Sequence, residues 1–366
     1  MREIISGATA IVRGALAAGC DFFAGYPITP ATAILLAMLQ ALPKVGGIAI
    51  QGEDEIASIG MCLGAAAAGC RVLTATSGPG MSLYSENLGL AVMAELPLVV
   101  VDVQRLGPAT GGATTIGQGD VQFARWGVPG GYPLIVLAPS NVLECATLTV
   151  EAFALARRFR CPVVVLTDKE LNMTMATVEM PDLLSLADSM DATLGQGESP
   201  VLGRGQAIRF TGSTHDPQQM ITRRACEIEA LNRHLVGKIE RHRRALERVR
   251  LDLQQGAATL LVSYGTSAGA MEAALKAARA SGLRVSGLVV QSLWPVPELA
   301  LRRAAEGVAR IVVGELNPGL YARELRHLLP TYCDGSDRIG SDRIVSLNRL
   351  DGEMLTPEMY LAQCLR

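Results

Sequence analysis

Residues 97–105 read PLVVVDVQR, an apolar run that holds one acid, Asp102, and ends in Gln104 and Arg105. The run does not alternate between apolar and polar residues, so both of its faces are expected to be buried, as in a parallel sheet covered by helices. The same character is shared by RVLTATS (71–77), PLIVLAP (133–139) and PVVVLTD (162–168), and shorter strands are predicted in CDFFAGYP (20–27) and GIAIQ (47–51). The sequence therefore predicts an α/β fold.

Alanine-rich stretches between these runs predict the covering helices, which are GATAIVRGALAAG (7–19), ATAILLAMLQALP (31–43) and EDEIASIGMCLGAAAAG (53–69). A chain of 366 residues exceeds what one core usually supports. We predict a first α/β domain over 1–172 and a second, smaller one over 257–366. Residues 173–256 are interpreted as a linker with one long amphipathic helix over 221–253, whose charges form either a solvated face or a docking surface.

Charge and cysteine usage exclude several classes of protein. With 33 basic and 35 acidic residues the net charge is −2, so neither nucleic acid nor a membrane surface is an expected partner. The eight cysteines form no C-x-x-C pair, and we expect no metal site on this chain but reduced, buried thiols in a cytoplasmic protein. Arg13 interrupts the apolar N-terminus, so we do not expect a signal peptide, and no apolar run is long enough to span a membrane.

GYPITP (25–30) lies where the first predicted strand ends. Pro27 and Pro30 restrict the backbone there and favour extended conformations at Tyr26 and Thr29. Loops at the carboxyl ends of parallel strands bind ligands in α/β proteins, so the Thr29 hydroxyl and the following helix start could hold an anionic or carbonyl oxygen. A stiff connector with Thr29 as a helix cap is the structural alternative.

QGEDEIASIG (51–60) brings three consecutive acids into a helix of small and apolar residues. Favourable interaction with the helix dipole accounts for two of these acids. Glu55 is followed by Ile56 and Ala57, so its carboxyl is expected to be desolvated and able to share a proton with a ring nitrogen. Further along, the SGPG stretch (77–80) predicts a turn that lets backbone approach a ligand, although it lacks the spacing and the lysine of a phosphate-binding loop.

QRLGPATGGATTIGQGD (104–120) follows the opening run and is too polar for a core. A guanidinium at a strand end beside hydroxyl-bearing residues makes Arg105 a candidate carboxylate clamp. A surface arginine before an irregular loop is the alternative.

Taken in order, GYPITPAT, GEDEIASIG, TSGPGMSL, RLGPATGGATTIGQGD, FTGSTHDP, SLWPVP and GELNPGLYARELR resemble the α subunit of 2-oxoacid:ferredoxin oxidoreductases nearly end to end. The resemblance implies a thiamine-diphosphate-binding fold, with a pyrimidine-binding domain and a transketolase C-terminal-like domain. Glu55 resembles the catalytic glutamate that bonds N1′ of the aminopyrimidine. Thr29, Arg105 and Thr114 resemble substrate contacts, and the implied cofactor-binding residues beside Glu55 are Gly25, Tyr26, Pro27, Ser77 and Gly78.

Some features depart from the family's pattern. Ala31-Thr32 replaces a common Ser-Ser, and Ala113 replaces a common proline before Thr114, which puts the substrate side chain in doubt. Gly119-Asp120-Val121 is not the GDG stretch with which thiamine enzymes hold Mg²⁺ and the diphosphate, and clustered cysteines for an iron–sulfur site are lacking. The resemblance therefore implies a partner β subunit that brings the diphosphate, Mg²⁺ and a [4Fe-4S] cluster, with γ and δ subunits as possible companions.

The function predicted from this resemblance is the CoA-dependent oxidative decarboxylation of a 2-oxoacid, with electrons passing to ferredoxin, in a reversible reaction. A separate short α subunit favours 2-oxoglutarate, giving succinyl-CoA, over pyruvate. Two alternatives stay open, which are half of a thiamine-dependent decarboxylase without ferredoxin chemistry and a non-catalytic assembly subunit.

Overall fold

The structure is a computed structural model that describes residues 2–195, 200–205, 207–329 and 343–365. Its strands are β1 Arg2–Ser6, β2 Phe22–Gly25, β3 Ile48–Gln51, β4 Val72–Thr76, β5 Leu98–Gln104, β6 Ile135–Leu137, β7 Pro162–Asp168, β8 Met175–Glu179, β9 Val249–Asp252, β10 Thr259–Ser263, β11 Val285–Val290, β12 Ser292–Trp294, β13 Arg310–Glu315 and β14 Ile344–Asn348.

The helices are α1 Gly7–Ala17, α2 Thr32–Ala41, α3 Glu55–Ala67, α4 Gly78–Met93, α5 Val121–Trp126, α6 Val142–Phe159, α7 Lys169–Met173, α8 Leu183–Leu194, α9 Ala225–Glu240, α10 Ser267–Ala280, α11 Glu298–Ala304, α12 Leu320–Leu328 and α13 Pro357–Cys364. Short 3₁₀ helices follow α2 at Leu42–Val45 and α9 at Arg243–Leu246.

The first sheet has the strand order β12-β6-β7-β5-β4-β2-β3, and β2 to β7 run parallel within it. β5 lies at its centre. Val99 and Val101 pack into the core on one face, whereas Val100 packs into the core on the other. The prediction of a parallel sheet buried on both faces is confirmed, because a strand with apolar side chains on both sides needs helices on both sides.

The order of the strands reverses between β2 and β4. From β2 the chain moves outward to the edge strand β3 and then returns across β2 to pair as β4. In open α/β sheets such a reversal leaves a crevice at the carboxyl ends of the two strands, where ligands bind. The loops that start at Tyr26 and Ser77 leave the sheet at this crevice.

The second sheet has the order β14-β13-β10-β11-β9. Helices α10 and α13 pack together on one of its faces. Leu260 and Val262 on the other face belong to one continuous core that includes residues of α11 and α12 and extends to Val100 of β5 in the first domain. In addition, β12 leaves the second domain and pairs antiparallel with β6 in the first sheet. The two predicted α/β blocks therefore share one core.

The prediction of one long helix over 221–253 is wrong. Helix α9 ends at Glu240, before the cationic run 241–244, and residues 249–252 form a strand. This strand pairs antiparallel with β11 and covers the edge of the second sheet, which satisfies backbone groups that a longer helix would leave to solvent. The sequence reading also missed α8, which begins at an Asp182 cap, and the antiparallel ribbon β1–β8.

Candidate active site

Three loops and one helix start meet at the reversal between β2 and β4. GYPITP follows β2, the segment from Ser77 follows β4, and Arg105 follows β5. Glu55 begins α3 directly after β3. Parallel strands end at the same edge of a sheet, so these separate segments converge.

Glu55 is buried, with 7% of the residue exposed. Asp54 caps α3 by accepting a hydrogen bond from Ala57 N at 2.7 Å, which fixes where the helix begins and therefore where Glu55 lies. A Cβ on Gly80 would lie 2.9 Å from Glu55 Cγ and 3.1 Å from Oε1, so only glycine fits there. No hydrogen-bond donor to the Glu55 carboxylate is found within the part of the chain that the structure describes. The residue is thus buried, but its carboxylate oxygens have no partner among the described residues and are accessible to solvent or a ligand.

Arg105 and Thr29 lie together in the structure. The Arg105 guanidinium is buried, and its Nη1 donates to the backbone carbonyl of Thr29 at 2.6 Å. Asn172 Nδ2 donates to the next carbonyl, that of Pro30, at 3.1 Å. The Thr29–Pro30 peptide bond is cis, which the sequence reading did not predict.

Thr29 does not cap the following helix, because α2 has Ala31 as its N-cap with no side-chain hydrogen bond. The structural alternative for the opening loop is therefore wrong in that respect. Thr29 is exposed, and its hydroxyl is left for solvent or a ligand. Arg105 Nε is buried and has no acceptor among the described residues, so the guanidinium retains a donor for a ligand.

Ser77 and Thr76 carry buried hydroxyls without hydrogen-bond partners in the described part of the chain. Helix α4 begins at Gly78, so the prediction of a turn over SGPG is wrong. Pro79 fits in the first turn because the backbone N–H that proline lacks has no acceptor within the helix there. The two hydroxyls therefore lie at the N-terminus of a 16-residue helix, where backbone N–H groups can also bind a polar ligand.

The other predicted residues form the walls of the crevice or lie outside it. Gly25 is the last residue of β2, and a Cβ there would lie 2.9 Å from the Phe23 ring. Tyr26 and Pro27 are half-buried. Thr114 is exposed on the loop that is closed by a hydrogen bond from Thr115 N to Gly112 O, and no hydrogen bond joins Thr114 to Arg105. The structure thus joins Arg105 to Thr29 and places Glu55 beside Gly80, all at the carboxyl edge of the first sheet, whereas Thr114 is an exposed loop residue.

A pair of acids beneath the crevice was missed by the sequence reading. Asp102 of β5 is fully buried, and neither of its carboxylate oxygens has a partner in the described residues. Burial raises the pKa of Asp102 well above its ordinary value, and the charge of Asp120 adds to the shift. Burial also raises the pKa of Asp120 to about 6, while the nearby Arg105 charge opposes this. The lone acid inside an apolar run was the available signal for Asp102.

Gln118 was also not predicted from the sequence, although this residue lies in the polar stretch 104–120 that contains Arg105. Its side chain is fully buried between the two sheets. Nε2 donates to Asp168 Oδ2 and to Tyr264 O, both at 3.3 Å, and Oε1 accepts from Ser267 Oγ at 2.9 Å and from Leu316 N at 3.1 Å. Gln118 thereby joins the loop after Arg105 to the second domain.

The cysteines in the described part of the chain are free thiols. Four cysteines are buried, as expected, but Cys226 is exposed, and Cys333 lies outside the described residues. None of the described helices combines the length and the apolar character that crossing a membrane requires.

Two family models match the sequence. Residues 13–233 match the thiamine-diphosphate-binding domain of pyruvate flavodoxin/ferredoxin oxidoreductases. Residues 257–359 match core domain II of pyruvate:ferredoxin oxidoreductase.

Among curated proteins, the chain is similar to the 2-oxoglutarate synthase subunit KorA of Methanothermobacter thermautotrophicus, with 38% identity over 99% of this chain and 98% of that protein. The KorA protein of Archaeoglobus fulgidus is 40% identical over 93% of this chain and 95% of its own length. The ketoisovalerate oxidoreductase subunit VorB of M. thermautotrophicus is 38% identical over 88% of this chain and 89% of its own length.

Among solved structures, the chain is similar to the 2-oxoglutarate:ferredoxin oxidoreductase of Magnetococcus marinus with 2-oxoglutarate, coenzyme A and succinyl-CoA bound. The TM-score is 0.89 at 31% identity, and the match covers 99% of this chain but only 64% of that one. A split-gene transketolase, solved as an inactive β4 tetramer, shares the fold with a TM-score of 0.57 at 11% identity, over 98% of this chain and 95% of its own.

Proposed function

The chain belongs to the 2-oxoacid:ferredoxin oxidoreductases as an α subunit, and from this premise we propose that it supplies one half of a thiamine-diphosphate active site. In this proposal Glu55 binds the aminopyrimidine, and Arg105 with Thr29 binds the 2-oxoacid. The catalysed reaction is the CoA-dependent oxidative decarboxylation of that acid, with electrons leaving to ferredoxin. The location remains the cytoplasm predicted from the sequence.

The observation that carries the proposal is the state of the Glu55 carboxylate. The residue is buried against Gly80 and its carboxylate has no donor among the described residues, so its hydrogen bonds are left for solvent or a ligand. Thiamine diphosphate, when bound, supplies the carbon nucleophile of the reaction, and a carboxyl at the pyrimidine helps to prepare it. Glu55 can hold or release the proton shared with a ring nitrogen, because a carboxyl works as an acid–base group when it is enclosed and within hydrogen-bond reach.

The surroundings of Glu55 fit the rest of the cofactor's pyrimidine half. Gly25 and Gly80 leave space where a side chain would collide with Phe23 or with Glu55 and the Thr76 hydroxyl. The buried hydroxyls of Thr76 and Ser77 have no hydrogen-bond partner among the described residues, so they can bind polar groups of the cofactor. We therefore propose that Gly25, Tyr26, Pro27, Ser77 and Gly78 line this half of the site.

Arg105 supplies the recognition of the substrate. A guanidinium binds carboxylates well because its donors lie in one plane and its charge is permanent. The hydrogen bond to Thr29 O fixes one Nη and leaves the other donors for the acid. The exposed Thr29 hydroxyl is the companion donor, and Thr114 joins the site only if its loop moves inward.

A β subunit is proposed to complete the site. The edge strand β3 and the starts of α3 and α4 carry exposed apolar residues, with Ile48 57% and Ile56 51% exposed, and Leu83 is exposed as well. Gly60 and Gly64 on α3 have open space around them, which allows a close approach by another chain. Such an apolar surface beside an open carboxylate supports a subunit interface.

The metal and the electron carriers are proposed to lie on partner subunits. The 366 residues contain no GDG stretch and no clustered cysteines, so the Mg²⁺, the diphosphate contacts and a [4Fe-4S] cluster are assigned to the β subunit. Relatives are named as subunits, which supports a multi-subunit enzyme, with γ and δ subunits and ferredoxin as further proposed partners.

We propose 2-oxoglutarate as the substrate, giving succinyl-CoA. KorA proteins align over nearly the whole chain, and the M. marinus enzyme holds 2-oxoglutarate and coenzyme A. The VorB protein at similar identity makes branched 2-oxoacids the competing class. Rates of the reconstituted complex with 2-oxoglutarate, 2-oxoisovalerate and pyruvate would decide, and a higher kcat/KM for 2-oxoisovalerate would overturn the assignment.

The test of the site is Glu55→Gln in the reconstituted complex. Loss of the acid–base group should lower kcat by about 10²-fold or more. Glu53→Gln is the matched control, since Glu53 is an exposed acid two residues away, and it should keep the parent rate. An unchanged rate for Glu55→Gln would refute the catalytic role of Glu55 and favour a non-catalytic assembly subunit.

A further inference from the structure

A cavity of about 350 Å³ opens at the end of the first sheet opposite to the active site. It is lined by residues where β4 and β5 begin, including Val72 and Leu98, whereas the crevice lies where the same strands end. Helix α6 contributes Arg157, and the segment around 201–204 contributes Arg204. The cavity is thus separated from Glu55 and Arg105 by the length of the strands.

Three arginines line this basic cavity, and their hydrogen bonds leave them short of negative charge. Arg71 Nη2 and Arg157 Nη1 donate to the same oxygen, Asp191 Oδ2, at 3.1 and 2.7 Å. Arg204 is exposed and has no hydrogen-bond or ion-pair partner among the described residues.

The two paired arginines repel each other. Burial lowers the pKa of Arg157, the neighbouring Arg71 charge lowers it further, and Asp191 compensates in part. A second acid, Asp21, accepts from the backbone N–H of Arg71 at 2.7 Å but does not line the cavity. The lining thus contains three arginines and no acid, and the one described acid that forms ion pairs with them, Asp191, leaves an excess of two positive charges.

We propose that the basic cavity binds a phosphate monoester whose organic part lies against its apolar wall. A dianion matches the excess charge, and guanidinium groups bind phosphate oxygens in pairs. Val72, Leu98, Phe153 and Val201 provide apolar contacts for the attached group. The volume exceeds what a bare phosphate needs, so the ligand is an organic phosphate of metabolite size.

The test is calorimetric titration of the full-length chain with phenyl phosphate in buffers of matched ionic strength. The parent protein should show saturable binding at one site. Arg157→Gln should weaken it by about 10-fold or more, which corresponds to the loss of a charge-assisted hydrogen bond. Arg204→Gln should also weaken it, and this exposed residue can be replaced without disturbing packing, so its result stands even if Arg157→Gln unfolds the chain.

Two controls separate this site from other cationic surfaces. Arg158→Gln alters the neighbouring, exposed arginine of α6, which does not line the cavity, and Arg105→Gln alters the active-site arginine. Both should bind phenyl phosphate like the parent. The proposal fails if the parent shows no saturable binding, if Arg204→Gln binds as tightly as the parent, or if either control weakens binding as much as Arg204→Gln.

Discussion

Replacing Gln118 by alanine removes four side-chain hydrogen bonds, three of which join the first domain to the second. The amide nitrogen loses Asp168 Oδ2 and Tyr264 O, and the amide oxygen loses Ser267 Oγ and Leu316 N. The backbone bonds of residue 118 to Leu316 O and Asn317 Nδ2 remain. The variant therefore tests the side chain alone.

The magnitude follows from which groups lose their partners. Leu316 N and the fully buried Ser267 hydroxyl lose their acceptor, and each buried orphan costs about 1–3 kcal/mol. Asp168 keeps its bond from Thr266 N at 2.9 Å, so its loss is partial. We expect Gln118→Ala to lower the free energy of unfolding by about 3–5 kcal/mol.

The assay is urea unfolding of the isolated chain, with Gln122→Ala as the matched control. Gln122 is half-buried, and its amide makes two hydrogen bonds, to Leu320 O at 3.3 Å and Glu324 Oε1 at 2.8 Å. Water can replace these bonds at a partly exposed position, so about 1 kcal/mol is expected. A loss for Gln118→Ala no larger than that of the control would refute the reasoning that this amide holds the domains together.

Three further predictions concern the site. Gly80→Ala should abolish most of the complex's activity while the chain stays folded, because the added Cβ would overlap the Thr76 hydroxyl and press on Glu55. The control Gly269→Ala, whose Cβ meets open space in α10, should keep the parent rate. Equal rates for the two variants would contradict the placement of Gly80 against Glu55. Asp120→Asn should flatten the pH dependence of the free energy of unfolding. With the pKa of Asp120 raised to about 6, the native protein keeps a proton that the unfolded chain loses between about pH 4 and 6, so the parent loses stability relative to the variant as pH rises through this window. If the free energy of unfolding changes equally for parent and variant between pH 4.5 and 7, the prediction is refuted. Arg105→Lys should raise KM for the 2-oxoacid by about 10-fold or more, since lysine lacks the fork that binds both Thr29 O and a carboxylate; a change in kcat alone would contradict this role.

The parallel sheet was predictable because the sequence of each strand indicates burial on both faces. Runs such as PLVVVDVQR are apolar on both faces, and the alanine-rich stretches between them end at Gly19 and Gly69, both in the left-handed conformation. Local composition and burial therefore agree, and the prediction needed no knowledge of neighbours. Glu55 was found by the same logic, as a carboxyl at the start of an apolar helix.

The region 221–253 shows why other elements were not predictable. Its apolar residues suit a helix over most of the stretch, but 249–252 also alternate in the manner of a strand, and only the free edge of β11 decides between the two. Gln118 is a similar case, because its four partners lie on segments as distant as Asp168 and Leu316. Signals that depend on distant partners are absent from local sequence.

The edge position of β3 explains why the carboxylate of Glu55, which we propose to be catalytic, is left without a partner among the described residues. β5 lies at the centre of the first sheet, so its Asp102 is enclosed on all sides, and burial raises the pKa of its carboxyl well above the ordinary value. Glu55 follows β3, which pairs with β2 alone in the described part of the chain, and Ile48 of β3 and Ile56 of α3 are exposed near it. Two acids in similarly apolar sequence thus differ in how far they are enclosed, because their strands occupy different positions in the sheet. The open side of Glu55 is where a second chain can complete the site, and closure there requires that chain to cover the apolar rim at the same time.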